Sequence, residues 1–155
     1  MVGLGDIDGG ALALTFTPAA APRWLYLPGD DLHAEVALSA WHDAGPDGDV
    51  HSAHAGPIWH YEPGFLGPRG FVEWGTSLAW VSDERVERRD LGTRWHFTTH
   101  ATLGFRLGGR GRWHVAYRIR HSSNAGLARP NPGLDITMLE IGYTPGRERA
   151  DSMPR

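Results

Sequence analysis

The dominant feature of this sequence is strict alternation of large apolar side chains with small or polar ones, repeated segment after segment. In 94–107, one parity carries Trp95, Phe97, Ala101, Leu103, Phe105 and Leu107. The other carries Arg94, His96, Thr98, His100, Thr102 and Arg106. In 112–121, Trp113, Val115, Tyr117 and Ile119 oppose Arg112, His114, Arg118 and Arg120. In 71–81, Val72, Trp74, Leu78 and Trp80 oppose Glu73, Gly75, Ser77 and Ala79. A period of two places alternate residues on opposite faces of an extended strand, so each segment reads as a strand with one greasy face. Weaker versions span 11–17 (Leu12, Leu14, Phe16), 32–41 (Leu32, Ala34, Val36, Leu38), 51–61 (Ala55, Trp59, Tyr61) and 134–143 (Leu139, Ile141, Tyr143), giving seven predicted strands.

Composition agrees with an all-β chain. The 21 Gly and 11 Pro of the 155 residues leave only 30–44, 76–91 and 112–125 as stretches longer than twelve residues without either. Long helices have little room. The turns are written in the same residues: Gly45-Pro46-Asp47-Gly48, Glu62-Pro63-Gly64, Gly67-Pro68, Gly108-Gly109-Arg110-Gly111 and Asn131-Pro132-Gly133. The longest run free of Asp, Glu and Arg is 9–22 and contains Pro18, so no helix of about 20 apolar residues can cross a membrane. A membrane role would have to use strands. A single domain over 1–155 is predicted, with 144–155 as a polar tail.

Net charge is −3, and all fifteen basic residues are Arg, scattered along the chain, which gives no footprint for nucleic acid. There is no cysteine, hence no disulfide scaffold and no thiolate metal site. Metal binding by the nine histidines is weakly supported, because His51 and His54 fall on opposite strand faces and His96 and His100 have a helix-like spacing. Neither a cofactor nor a metal is expected.

Seven alternating strands joined by turns suggest an antiparallel meander curling to protect its edges. Two barrels fit. A soluble lipocalin-like barrel binding an apolar ligand turns its apolar face inward, whereas an outer-membrane barrel turns it toward lipid and keeps Arg, His and Glu inside. Alternation alone fits both. In the second case Glu35, Glu73 and Glu140 would pair inside with Arg106, Arg118 and Arg120, filling a narrow lumen.

One stretch could carry chemistry. His121 and Ser123 continue the parity of Trp113 to Ile119, so both project from the apolar face, while Ser122 projects from the polar one. Positions two apart on a strand lie about 7 Å apart, within reach of a leaning imidazole. Asp135 shares the parity of Thr137, Leu139, Ile141 and Tyr143, and in an antiparallel hairpin it can lie beside His121. A hydroxyl, an imidazole and a carboxylate converging on one face have the logic of nucleophile, base and orienting acid. A strand running into a turn is the simpler account of His-x-Ser followed by Asn, Gly and Pro. Unpaired polar groups on a greasy face are costly, however, and that favours a functional reading.

The run His121-Ser122-Ser123-Asn124-Ala125-Gly126-Leu127, followed by Pro130-Asn131 and Gly133, resembles the signature of the outer-membrane lipid A 3-O-deacylase (PagL) family. By strand pattern the likeness extends over roughly the C-terminal two-thirds of the chain, but only the His-to-Gly motif is specific. The resemblance implies an antiparallel, up-and-down, eight-stranded outer-membrane β-barrel in a Gram-negative bacterium. Its active site would face lipid and hydrolyse the ester at position 3 of lipid A within lipopolysaccharide. It makes Ser123 the nucleophile, His121 the base, Asp135 the orienting acid, and Gly126 and Asn131 the oxyanion hole. Two positions depart from the family pattern: Asp135 stands where Glu is usual, and Ser122 where an aromatic is common. The shorter acid calls the third interaction into question.

If the last strand ends in the periplasm, His121–Ser123 lies at the external end, with the connections 82–93 and 124–133 outside and the Gly108–Gly111 turn inside. The segment 18–31 is long for an inner turn, which suggests a short amphipathic insertion around Trp24 to Leu27. Residues 1–10 show no export signal, and seven strands fall one short of an even barrel, so a first strand and leader missing from this sequence are expected. A homodimer stays open, as does a non-catalytic outer-membrane barrel.

Overall fold

A computed structural model describes residues 8–27, 31–42, 49–86, 89–109 and 111–145. Seven long strands form one antiparallel sheet: β1 (Asp8–Phe16), β2 (Asp31–His42), β3 (Val50–Tyr61), β4 (Gly70–Val81), β7 (Trp95–Leu107), β8 (Trp113–Ser123) and β9 (Leu134–Tyr143). They pair in chain order, each with the next. Between β4 and β7 the chain adds a short ribbon, β5 (Arg85–Val86) with β6 (Arg89–Asp90). Every strand read from the alternation is present. The ribbon was not foreseen, since two-residue strands have no period to detect. Most of the polar tail read at 144–155, and the turn at 45–48, lie outside the described residues.

The two faces separate as the parity requires. Along β7, Trp95, Phe97, Leu103, Phe105 and Leu107 are exposed, while His96, Thr98, His100 and Thr102 are buried. On β8, Tyr117 and Ile119 are exposed and Arg118 and Arg120 are buried. The polar face is therefore the inside of a curved wall and the apolar face its outside. This is the inverse of a lipocalin, and of any globule that buries its apolar face.

Curvature is demonstrated by contacts across the lumen. β2 and β8 stand four places apart in the sheet, about 19 Å if it were flat. Yet Arg118 Nη1 on β8 donates to both carboxylate oxygens of Glu35 on β2, each at 2.9 Å. Glu35 also meets His54 Nε2 at 3.1 Å, and Arg120 Nη2 lies 3.9 Å away. Arg118 reaches Glu140 at 2.8 Å and Glu73 at 3.7 Å, so one guanidinium serves all three interior acids. Arg120 thus sits only at the margin of this cluster. Arg106 instead pairs near the rim with Glu62 at 2.6 Å. Among the described residues β1 and β9 are the sheet edges and do not pair with each other. Among the described residues no helix is long and apolar enough to cross a membrane, and strands are the elements there able to do so.

Because β8 runs toward Ser123, the ends of the wall are distinct. Connections 82–94 and 124–133 lie at the Ser123 end. Connections 17–30, 62–69 and 108–112 lie at the other, where Gly111 N–H closes a tight turn onto the Gly108 carbonyl. The apolar core is small and sits under the Ser123 end: Trp41, Val50, Val81, Val86, Leu91 and Leu134. Two of its members, Val86 and Leu91, come from the β5–β6 region, so the ribbon plugs the mouth of the curved sheet.

Candidate active site

His121 and Asp135 are directly opposed in the β8–β9 register. Their side chains meet on the outer wall, His121 Nδ1 to Asp135 Oδ1 at 2.6 Å. Both remain solvent- or lipid-accessible, with side chains 53% and 72% exposed. The aspartate therefore spans the gap despite being one methylene shorter than glutamate, because the two strands are paired at that rung. Ser123, two residues on, ends β8 on the same face and lies opposite Phe97 of β7. Among the described residues no hydrogen bond joins its hydroxyl to His121. Such contacts commonly tighten only when substrate is bound. Ser122 has the opposite parity and lines an interior cavity with Ser52, His54, Thr98 and Arg120, away from the other three.

The imidazole is confined on its far side by Gly133. A Cβ at that position would stand 3.0 Å from His121 Cε1, and Gly133 holds φ of +69°, a conformation that glycine tolerates best. The loop between β8 and β9 is organised by Asn124, which is completely buried. Its amide Nδ2 donates to the carbonyls of Leu91, Ala128 and Pro130 at 3.0–3.1 Å. Its Oδ1 accepts the Gly126 N–H at 2.9 Å, and its own N–H donates to Asn131 Oδ1 at 3.0 Å. Gly126 and Asn131, the two residues expected to line an oxyanion hole, are thus tied to one hub. The Gly126 N–H is occupied by that hub, whereas the Asn131 amide nitrogen keeps its donors.

Sequence reading assigned no role to Asn124, Leu91 or Gly92. The only local signal was the Asn124-x-Gly126 spacing, which suits a side-chain-capped turn. Leu91 contributes its carbonyl from 33 residues away. Gly92 has φ of +77°, and a Cβ there would collide with the Pro130 carbonyl oxygen. Gly92→Ala should therefore displace the 124–133 loop. The expected result is a loop cut at least tenfold faster by protease with the sheet intact, checked by limited proteolysis alongside circular dichroism.

The sequence and the fold are similar to those of known proteins. The family model described as Lipid A 3-O-deacylase (PagL) matches residues 9–144. Lipid A deacylase PagL of Bordetella bronchiseptica is 34% identical over 115 residues, which cover 73% of this chain and 62% of that protein. Lipid A deacylase PagL of Pseudomonas aeruginosa is 30% identical over 105 residues, covering 68% and 60%. The matched chain thus spans about three-fifths of the length of these curated relatives. The solved structure titled "Crystal structure of the outer membrane enzyme PagL" superposes with a TM-score of 0.69 at 26% identity, covering 88% of this chain and 89% of that one. With the curved sheet, the outward apolar face and a family match running from β1 past the end of β9, the chain belongs to the lipid A 3-O-deacylase (PagL) family.

Proposed function

We propose that this protein is a serine esterase of the Gram-negative outer membrane that removes the 3-hydroxyacyl chain ester-linked at position 3 of lipid A. The observation that carries the reading is the 2.6 Å His121–Asp135 contact on the outward apolar wall, with Ser123 on the same face. An acyl chain in the membrane lies against that wall without leaving lipid, so the scissile ester comes to the strand end from the side.

In this reading Asp135 accepts the Nδ1 proton of His121, which leaves Nε2 as the base. His121 takes the Ser123 hydroxyl proton while Oγ attacks the ester carbonyl carbon, giving a tetrahedral oxyanion. In this reading the Asn131 amide donates to that oxyanion, and the Gly126 N–H joins it only if Asn124 gives it up. Collapse of the intermediate breaks the bond to the sugar oxygen, which receives the proton from His121. Water, deprotonated by the same imidazole, then attacks the acyl-serine and releases the hydroxy fatty acid. Each step uses only groups of this chain and water. The water-poor surroundings strengthen the His–Asp interaction.

Expression in a Gram-negative host followed by mass analysis of extracted lipid A tests the proposal. Lipid A lighter by one 3-hydroxyacyl group is expected with the unaltered protein, and full-mass lipid A with Ser123→Ala. Deacylation that persists in Ser123→Ala would remove the assigned nucleophile. An unchanged lipid A mass with a folded, membrane-inserted protein would favour a non-catalytic barrel.

A further inference from the structure

The outer wall is interrupted at one place. Leu32 of β2 and Trp59 of β3 have outward parity and are register partners, yet they are only 5% and 7% exposed. The β1–β2 connection meets the outside of the sheet at Trp59. Its 3-10 turn at Arg23–Leu25 is fastened there by the Trp59 indole N–H, which donates to the Leu25 carbonyl at 2.6 Å. Trp59 is itself fixed by stacking on Trp74, with ring centroids 4.1 Å apart.

A connection that packed against the wall only to shield it would turn its large apolar residues inward. This one does the opposite. Trp24 is 78% exposed, and Tyr26 and Leu27 are exposed beside it. A second 3-10 turn, Gly64–Leu66 in the adjacent β3–β4 connection, presents Phe65 at 86%. These are the two most exposed aromatic side chains among the described residues. Both lie at the end of the sheet opposite Ser123, level with the outward aromatics that finish the strands: Tyr61, Phe105, Trp113 and Tyr143. Arg23 is the only charged side chain between residues 9 and 29 and sits in the same turn as Trp24. Aromatics with an adjacent cation, continuous with an apolar wall, match the boundary between acyl chains and anionic headgroups.

We propose that Trp24, Tyr26 and Phe65 form a docking surface for the headgroup boundary of a phospholipid leaflet, the one opposite the leaflet that holds lipid A. The two turns act as a foot that fixes how deeply the wall sits, and hence the level of Ser123 on the other side. The inference rests on the lipid-facing wall of the proposed function.

The absence of cysteine makes the test clean. Single variants Trp24→Cys, Phe65→Cys, Leu139→Cys on the wall and Gly109→Cys in the tight turn are spin-labelled and reconstituted in phosphatidylethanolamine–phosphatidylglycerol vesicles. Accessibility to oxygen and to a water-soluble nickel chelate is then compared. Labels at 24 and 65 are expected to be several-fold less accessible to the chelate than the label at 109, and oxygen-accessible like that at 139. If 24 and 65 match 109 while 139 stays shielded, the docking surface is overturned and the wall stands. If 139 is equally open to the chelate, both fall. Spin–spin broadening at 65 would show a second copy in place of lipid and would also overturn the proposal.

Discussion

In the proposed roles, Ser123→Ala and His121→Ala are each expected to lower kcat on lipid A by about four to six orders of magnitude, with little change in KM. A nucleophile and its base act as one unit, so removing either costs nearly as much as removing both. Asp135 is separable. Asp135→Asn keeps the shape but offers an amide donor to Nδ1, so the ring adopts the wrong tautomer, and a loss of about 10⁴ is expected. Asp135→Glu has the family's usual acid but must fit an extra methylene into a contact already closed at 2.6 Å. It should therefore cost more than it restores unless the β8–β9 rung opens slightly. Initial rates in detergent micelles distinguish these outcomes, and Asp135→Asn within tenfold of the unaltered protein would strip the carboxylate of its role.

The largest expected effect on stability comes from the opposite face. Glu35→Ala leaves the guanidinium of Arg118 without its two-pronged partner and removes the acid beside His54 and Arg120. Glu35 is 1% exposed, and Arg118 keeps Glu140 and Glu73, so the loss should fall at the low end of the range for breaking a buried pair, about 3 kcal/mol. Because the contact links strands that are not neighbours, the loss should also loosen the curvature of the sheet. Glu62→Ala is the control, since the Arg106–Glu62 pair at the rim is partly exposed and worth about 1 kcal/mol or less. Urea unfolding in the same micelles compares the two.

The sheet was legible because parity is a local code: Trp113, Tyr117 and Ile119 declare a face whatever they pack against. The same code put His121, Ser123 and Asp135 on one side, and pairing at a single rung then brought two of them into contact. Parity fixes a face but not a height, which is why the interior acids and the arginines facing them could be named but not matched one to one. Arg118 takes Glu35, Glu73 and Glu140, and Arg106 turns to Glu62. The hub at Asn124 was hidden because its carbonyl partners include Leu91, brought near only by the β5–β6 ribbon. Leu32 and Trp59 follow the outward pattern yet are buried, and nothing periodic in 17–27 announces that the connection returns to Trp59.

The orienting carboxylate is carried by a different hairpin arm from the imidazole it serves, at the first rungs where β9 joins β8. Under the proposed mechanism, a chain whose β9 has not yet docked holds a serine and a histidine but no complete relay. Such a half-assembled polypeptide would gain its full rate on esters only once β9 pairs with β8, and turnover would then report that this hairpin has formed.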